Sequence, residues 1–287
     1  MLALLVLKSQ IHQPPKFYTF SKRVSADMDT LQLANCTLTA EEIIPLLASY
    51  RMIPQLLCEI IIDRAIAPIS CTAEEIEQAC QEFDRNWHLN GEAERQSWQS
   101  QYGLSQAQLE NLATRRLRVE KFKQQTWGNK LESYFLQRKR QLDRVIYALI
   151  RTQDRWLASE IYFRILEGEQ SFAELAREYS EGPEAETGGT IGPVELGTLH
   201  PILAQLLCTL TVGEVQPPIT LGEWYVIRRV EKLIPAQLDD FMRQRLLQEK
   251  FEAWFQEQLQ QLSPQEQIWM GITARNQLNL KDRQVAA

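Results

Sequence analysis

The stretch SEGPEAETGGTIGPVELG, residues 180–197, decides how the second half of this chain is read. Its glycines at 182, 188, 189, 192 and 197 and prolines at 183 and 193 exclude a helix or a long regular strand, because glycine weakens both and proline breaks both. The flanks are helical. SFAELAREYS (171–180) opens with Ser171 as a cap, and HPILAQLLCTL (200–210) follows and stops at TVGE. Two readings of the stretch stand: a disordered linker, or a loop shaped to build a binding surface, whose glutamates Glu181, Glu184 and Glu186 would form its mobile part.

Working outward, RVIYALI (144–150) is short, apolar and β-rich and reads as a strand. DRWLASEIYFRILEG (154–168) reads as a helix. PPIT (217–220) and EWYVIRRVEK (223–232) read as two strands joined by a tight turn at LGE. Strand, helices, loop, helix and two strands predict a compact α+β unit over 143–233.

Before it the pattern is helical throughout. TAEE occurs at 39–42 and again at 72–75, and each is a capping box, with Thr as the cap and a Glu three residues on reaching back. The first box opens a helix expected to be interrupted at Pro45. Pro54 suits the first turn of PQLLCEIIIDRAI (54–66). Further helices are expected over 73–87, 92–102, 105–127 and from 129, with breaks at Asn90-Gly91, Gly103 and Gly128. Residues 28–142 therefore read as an all-helical domain. After Pro235, residues 236–262 form a long amphipathic helix with a wide apolar face of Leu238, Phe241, Leu246, Phe251, Trp254 and Phe255. Such a face is expected to pack on the helices of residues 40–142. Residues 263–287 read as a polar tail with one apolar knot at IWMGI, and residues 1–27 as a disordered leader or a misassigned start ahead of Met28.

Apolar residues make up 44% and charged residues 24% of the 287, which fits a folded globular protein. The formal net charge is −6. The first 27 residues are net basic, so the body is more acidic still, a poor match to nucleic acid. Cys36, Cys58, Cys71, Cys80 and Cys208 are odd in number and show no CxxC spacing. They read as small buried hydrophobes in a reducing compartment. His12, His88 and His200 are far apart in sequence, which argues against a zinc site. The initial MLALLVLK is too short to span a bilayer and lacks a preceding basic region and a cleavage site, so the chain is expected to be cytoplasmic, with an extracytoplasmic location as the alternative, and without stable membrane insertion.

FAELAREYSEGPEAETGGTIG, then GTLHPILAQLLCTLTVGEVQPPIT, then YVIRRVEK is similar to the parvulin domain of peptidyl-prolyl isomerases. Motifs and spacing match over about ninety residues: F-x-x-L-A-x-x-x-S, a loop ending G-G-x-[LI]-G, a glycine two residues before a Met or Leu, a helix ending L-x-x-G-E, and a final apolar strand. The whole chain resembles the SurA and PrsA type of foldase, in which a helical chaperone region precedes the parvulin domain and a C-terminal helix returns to pack on it. IPQLLCEIIIDRAI and WQSQYGLSQAQLENLATRRL look like that region.

The resemblance implies a fold of the α+β class: an all-helical chaperone-like domain, an antiparallel-sheet domain and the returning helix. It implies an apolar proline pocket at Leu199 and Leu203, with Ile191 and Leu149 as further lining, His200 at the rim and Thr220 as a loose match to a family threonine. The family's polar floor, two histidines and a Cys or Asp, falls on Tyr147, Tyr225 and Gly182. A tyrosine pair side by side beneath the groove is expected in place of the histidine pair, since a phenol both donates and accepts. Rotating an X–Pro bond needs no cofactor or metal. The expected partners are unfolded or extended Pro-containing polypeptides. Two functions follow: an isomerase that assists folding or export of clients, or a non-catalytic chaperone that holds Pro-containing segments in a degenerate site.

Overall fold

A computed structural model describes residues 30–33 and 36–271. The leader of residues 1–27 and the end of the tail, 272–287, lie outside the described residues. The described residues divide into two compact units: those up to 129 together with 247–271, and residues 130–246.

The first unit is mainly helical. It opens with an antiparallel hairpin, β1 (Thr30–Leu33) and β2 (Cys36–Thr39), where only helices were expected. Helices α1 (Ala40–Ser49), α2 (Ile53–Ile66), α3 (Ala73–Asn86), α4 (Glu92–Tyr102) and α5 (Gln106–Trp127) follow. Both boxes cap as read: the Glu42 carboxylate accepts from the Thr39 N–H at 2.8 Å, and Glu75 from the Thr72 N–H at 2.8 Å. Helix α1 runs through Pro45 unbroken, because a proline there removes only one internal donor while the neighbouring hydrogen bonds remain.

Two apolar clusters among the described residues lie in this unit. Cys80, Phe83, Trp98 and Leu109 fill one. The other gathers Cys58, Ile62 and Ile66 of α2 with Phe251, Phe255 and Leu259 of α10 (Asp240–Gln260); Phe122, Trp127 and Trp254 pack against them. The buried face of this last helix differs from the one expected. Phe241 is 75% exposed and Leu238 half-buried, while Leu247 and Leu259, left out of the expected stripe, are buried. Beyond it, Pro264–Trp269 is a capped helix, α11, where a tail was expected; Ser263 and Glu266 form its capping box. The described cysteines Cys58, Cys71, Cys80 and Cys208 are free thiols.

The second unit contains α6 (Leu131–Leu142), β3 (Arg144–Thr152), α7 (Arg155–Leu166), α8 (Phe172–Tyr179), β4 (Thr190–Glu195), α9 (Pro201–Thr209), β5 (Val215–Leu221) and β6 (Trp224–Ile234). Helix α6 belongs here, although the expected boundary at 142/143 assigned it to the helical domain. It is held by the turn at 196–198: the Leu196 N–H donates to the Asp143 carbonyl at 2.9 Å, and a Cβ on Gly197 would come within 3.0 Å of Gln141 Cβ. The Asp143 carboxylate also accepts from the Ala236 N–H at 2.7 Å, which closes the unit.

The sheet is antiparallel throughout, in the order β4-β3-β6-β5. Strand β4 lies in what was read as loop. Its two central strands are buried on both faces. Val145, Tyr147, Leu149, Val226 and Val230 face Leu196, Leu203 and Leu207. Ala148, Ile150 and Ile227 face Ile161, Phe172, Leu175 and Ala176.

The glycine-rich stretch is shaped. Pro183–Thr187 forms a 3₁₀ turn, and Gly189 continues it at φ +84°, where its carbonyl accepts the Leu149 N–H at 2.9 Å. A Cβ on Gly189 would sit 2.9 Å from the Leu149 carbonyl oxygen, so both conformation and space require glycine. The acidic part is anchored too. Glu184 is 4% exposed, and Glu181 accepts from the Thr152 hydroxyl at 2.6 Å and the Gln153 N–H at 2.9 Å.

At the end of β4, Glu195 makes a two-pronged ion pair with Arg245, and this hydrogen-bonded cation holds its carboxyl below the usual carboxylate range. A depressed folded-state pKa gives stability that is fully present above about 4.3, the unfolded value, and is lost as pH falls through the folded value. Glu195→Gln is therefore expected to lower the stability of this unit by on the order of 1 kcal/mol at pH 7, with the gap to wild type closing in acid. Urea midpoints measured from pH 7 down to pH 3 check this.

Candidate active site

Alternation along β3 sends Tyr147, Leu149 and Arg151 to one face of the sheet. Opposite Tyr147 in register stands Ile191 of β4, and α9 brings Leu203 over the same face, with Leu199 just ahead of the helix. Tyr147, Leu149 and Leu203 are buried, at 4%, 6% and 6% exposure. Ile191 and Leu199 are half-buried. Five of the expected site residues thus meet in one apolar cluster. The Tyr147 phenol is pushed above its usual range, first by burial and then by the charge of Glu184, with Arg151 acting the other way. It is a neutral group there, able to donate and to accept.

The expected tyrosine pair does not form. Tyr147 is registered with Val230, whereas Tyr225 is registered with Thr152 of β3 and Thr220 of β5. Five residues of strand separate the two positions, about 16 Å. They also lie on opposite faces, since Tyr225 shares parity with Ile227, which packs with Ile150 on the far side. Thr220 goes with Tyr225 and is exposed. On the groove side, β6 instead presents Trp224, Val226, Arg228 and Val230. A one-residue shift in reading the last strand exchanges one face for the other. His200 is exposed at the N-cap of α9 and makes no capping bond.

Four charged or polar side chains here, Arg151, Ser180, Glu184 and Arg228, were not among the expected site residues. The Arg151 Nη2 donates to Glu184 Oε2 at 2.9 Å, and Glu184 Oε1 accepts the Ser180 hydroxyl at 2.7 Å. Ser180 Oγ in turn accepts the Arg151 backbone N–H at 3.1 Å. The Arg151 guanidinium carbon lies 5.5 Å from the centre of the Trp224 ring. Arg228, 4% exposed, donates to the Pro217 carbonyl at 3.2 Å, and burial lowers its pKa. The available sequence signal was parity: Arg151 is the next residue on the face that carries Tyr147 and Leu149.

Among the described residues no three His, Cys, Asp or Glu side chains gather as metal ligands, and no single helix is long and apolar enough to cross a membrane.

Residues 151–232 match the family model of the rotamase, the PPIC-type PPIASE domain. The sheet unit therefore carries a parvulin-type peptidyl-prolyl isomerase domain. The Chaperone SurA of Shewanella denitrificans is 35% identical over 115 residues, covering 39% of this chain and 26% of that protein. The Foldase protein PrsA of Caldanaerobacter subterraneus is 28% identical over 111 residues, covering 38% of this chain and 36% of that protein. Among solved structures, the peptidylprolyl isomerase PrsA from Bacillus cereus aligns over 81% of this chain and 90% of its own, at 17% identity and a TM-score of 0.43. The chain spans between 26% and 36% of the length of these curated relatives.

Proposed function

We propose that the sheet unit isomerises X–Pro bonds in extended segments of client polypeptides, and that it does so by apolar capture more than by polar chemistry. The observation that carries this is the single cluster of Leu149, Ile191, Leu199 and Leu203 over the neutral Tyr147 phenol. An uncatalysed X–Pro rotation meets a barrier of about 18–20 kcal/mol because the planar amide is conjugated. A pocket that grips the ring and excludes water favours the twisted amide, which is the less polar state. The activity is assigned to the sheet unit, residues 130–246, and client holding to the helical unit that precedes it. The helical region carries exposed Ile44, Tyr50, Met52 and Leu56, an apolar surface for unfolded chain.

A protease-free isomerisation assay on X–Pro peptides tests the proposal. Leu199→Ala is expected to lower kcat/KM about tenfold, because a half-exposed leucine contributes part of the roughly 2–3 kcal/mol of a fully buried one. An unchanged kcat/KM rejects the pocket.

A second reading has one observation behind it. Tyr147 is registered with Val230 rather than with a second polar side chain, so among the described residues no phenol or imidazole pairs with it. If wild-type protein fails to accelerate rotation but binds Pro-containing peptides with Leu199 required, the domain is a holding module. The expected cytoplasmic placement finds no support in the fold or in the relatives.

A further inference from the structure

Gly182 has extended backbone, φ −117° and ψ 173°, which any residue adopts. Space is what demands glycine there. A Cβ would lie 2.0 Å from Arg151 Nε, 2.1 Å from Nη2 and 2.3 Å from Glu184 Oε2. The guanidinium of Arg151 therefore occupies the volume that a side chain at position 182 would fill, so an arginine stands where the resemblance led us to expect a Cys or Asp.

The three nitrogens of this guanidinium have different surroundings. Nη2 is committed to the buried carboxylate of Glu184. Nε is buried against Gly182 and has no hydrogen-bond partner among the described residues. Nη1 makes no hydrogen bond among the described residues, and the side chain is 30% exposed. The plane is held by Glu184 on one side and the Trp224 ring on the other, on the face that carries Tyr147 and Leu149. Its charge is already balanced by Glu184, so the group is a fixed donor rather than a free cation waiting for an anion.

We propose that the Arg151 Nη1–H is the donor offered to the prolyl nitrogen as the X–Pro amide twists, which makes Arg151 a catalytic residue of this domain. The proposal rests on the isomerase reading above. In the planar amide the nitrogen lone pair is delocalised and accepts nothing. On twisting, the lone pair localises and becomes an acceptor, so a donor placed there acts in the transition state and not in the ground state. A guanidinium suits this task because it stays protonated and gives a hydrogen bond without transferring a proton. Since Glu184 fixes its plane beforehand, little ordering is left for the moment of rotation.

The test is the isomerisation of an X–Pro peptide by the full chain, with peptide affinity measured separately by calorimetry. Arg151→Met is expected to lower kcat and kcat/KM equally, by about tenfold, with Kd unchanged, the signature of an interaction made only in the transition state. Gly182→Ala, with Arg151 intact, forces the guanidinium out of its place and is expected to give the same split; it decides the matter if Arg151→Met does not fold. Full kcat in either folded variant overturns the proposal. So does a parallel loss of affinity and rate in both variants, which would mean a binding or structural role. Wild-type protein without acceleration sinks the isomerase reading itself, a result distinguishable from either of these.

Discussion

Phe251→Ala is expected to destabilise the helical unit by about 3–5 kcal/mol, the range for deleting a buried aromatic ring. Phe251 is 2% exposed and sits at the centre of an aromatic group. Its ring centre lies 5.4 Å from Trp254, 6.4 Å from Phe122 and Trp127, and 6.5 Å from Phe255. The Lys123 ammonium stands 5.1 Å from the ring centre and is itself buried, bonded to Glu120 at 2.7 Å and to Gln248 at 2.8 Å. Truncation therefore leaves a cavity and also withdraws the π face from a desolvated cation. Urea denaturation followed by tryptophan emission is the measurement, because Trp127 and Trp254 border the cavity. The midpoint should fall with an unchanged slope. A loss below about 1 kcal/mol would mean that this face is not the core the geometry describes. Phe251→Leu, which keeps most of the volume, should lose markedly less.

The helices were legible because their signals are local. Thr39–Glu42, Thr72–Glu75 and Ser171–Glu174 are capping pairs that need no tertiary context, and each starts a helix where the sequence says it should. The strand β3 was legible from its run of β-formers. What failed was register. Strand β6 is covered on both faces, so Trp224, Tyr225, Val226 and Ile227 show no apolar–polar alternation from which to tell the groove side from the far side. A single-residue choice then placed Tyr225 under the groove, and its neighbour Val226 was passed over. The same limit hid Arg151. A cation within an apolar run reads as an edge residue. Only the fold brings Glu184 from 33 positions away to neutralise it and clears Gly182 to make room. Strand β4 was missed for a related reason: Gly192 and Pro193 signal a loop, yet the strand is the sheet's edge, where such residues are tolerated.

Leu203→Ala is expected to show two losses at once, and their separation is the informative result. Leu203 is 6% exposed and packs with Leu196, Leu207 and Val226 beneath a nine-residue helix. Deleting it should cost about 2–5 kcal/mol, enough to lower the melting transition of this unit by roughly 10 °C. If Leu203 also walls the proline pocket, kcat/KM measured on fully folded protein, well below the lowered transition, should fall by about tenfold as well. Leu199 provides the contrast. It is half-buried just before the helix, so Leu199→Ala should reproduce the kinetic loss with a much smaller thermal shift. A folded Leu203→Ala protein with wild-type kcat/KM would make Leu203 a core residue alone and shift the pocket toward Leu199 and Ile191. Equal kinetic losses with unequal thermal shifts would mean that both leucines touch the ring and that only Leu203 also holds the helix in place. The two measurements answer different questions because Leu203 is buried in the hydrophobic core and Leu199 is only half-buried against it.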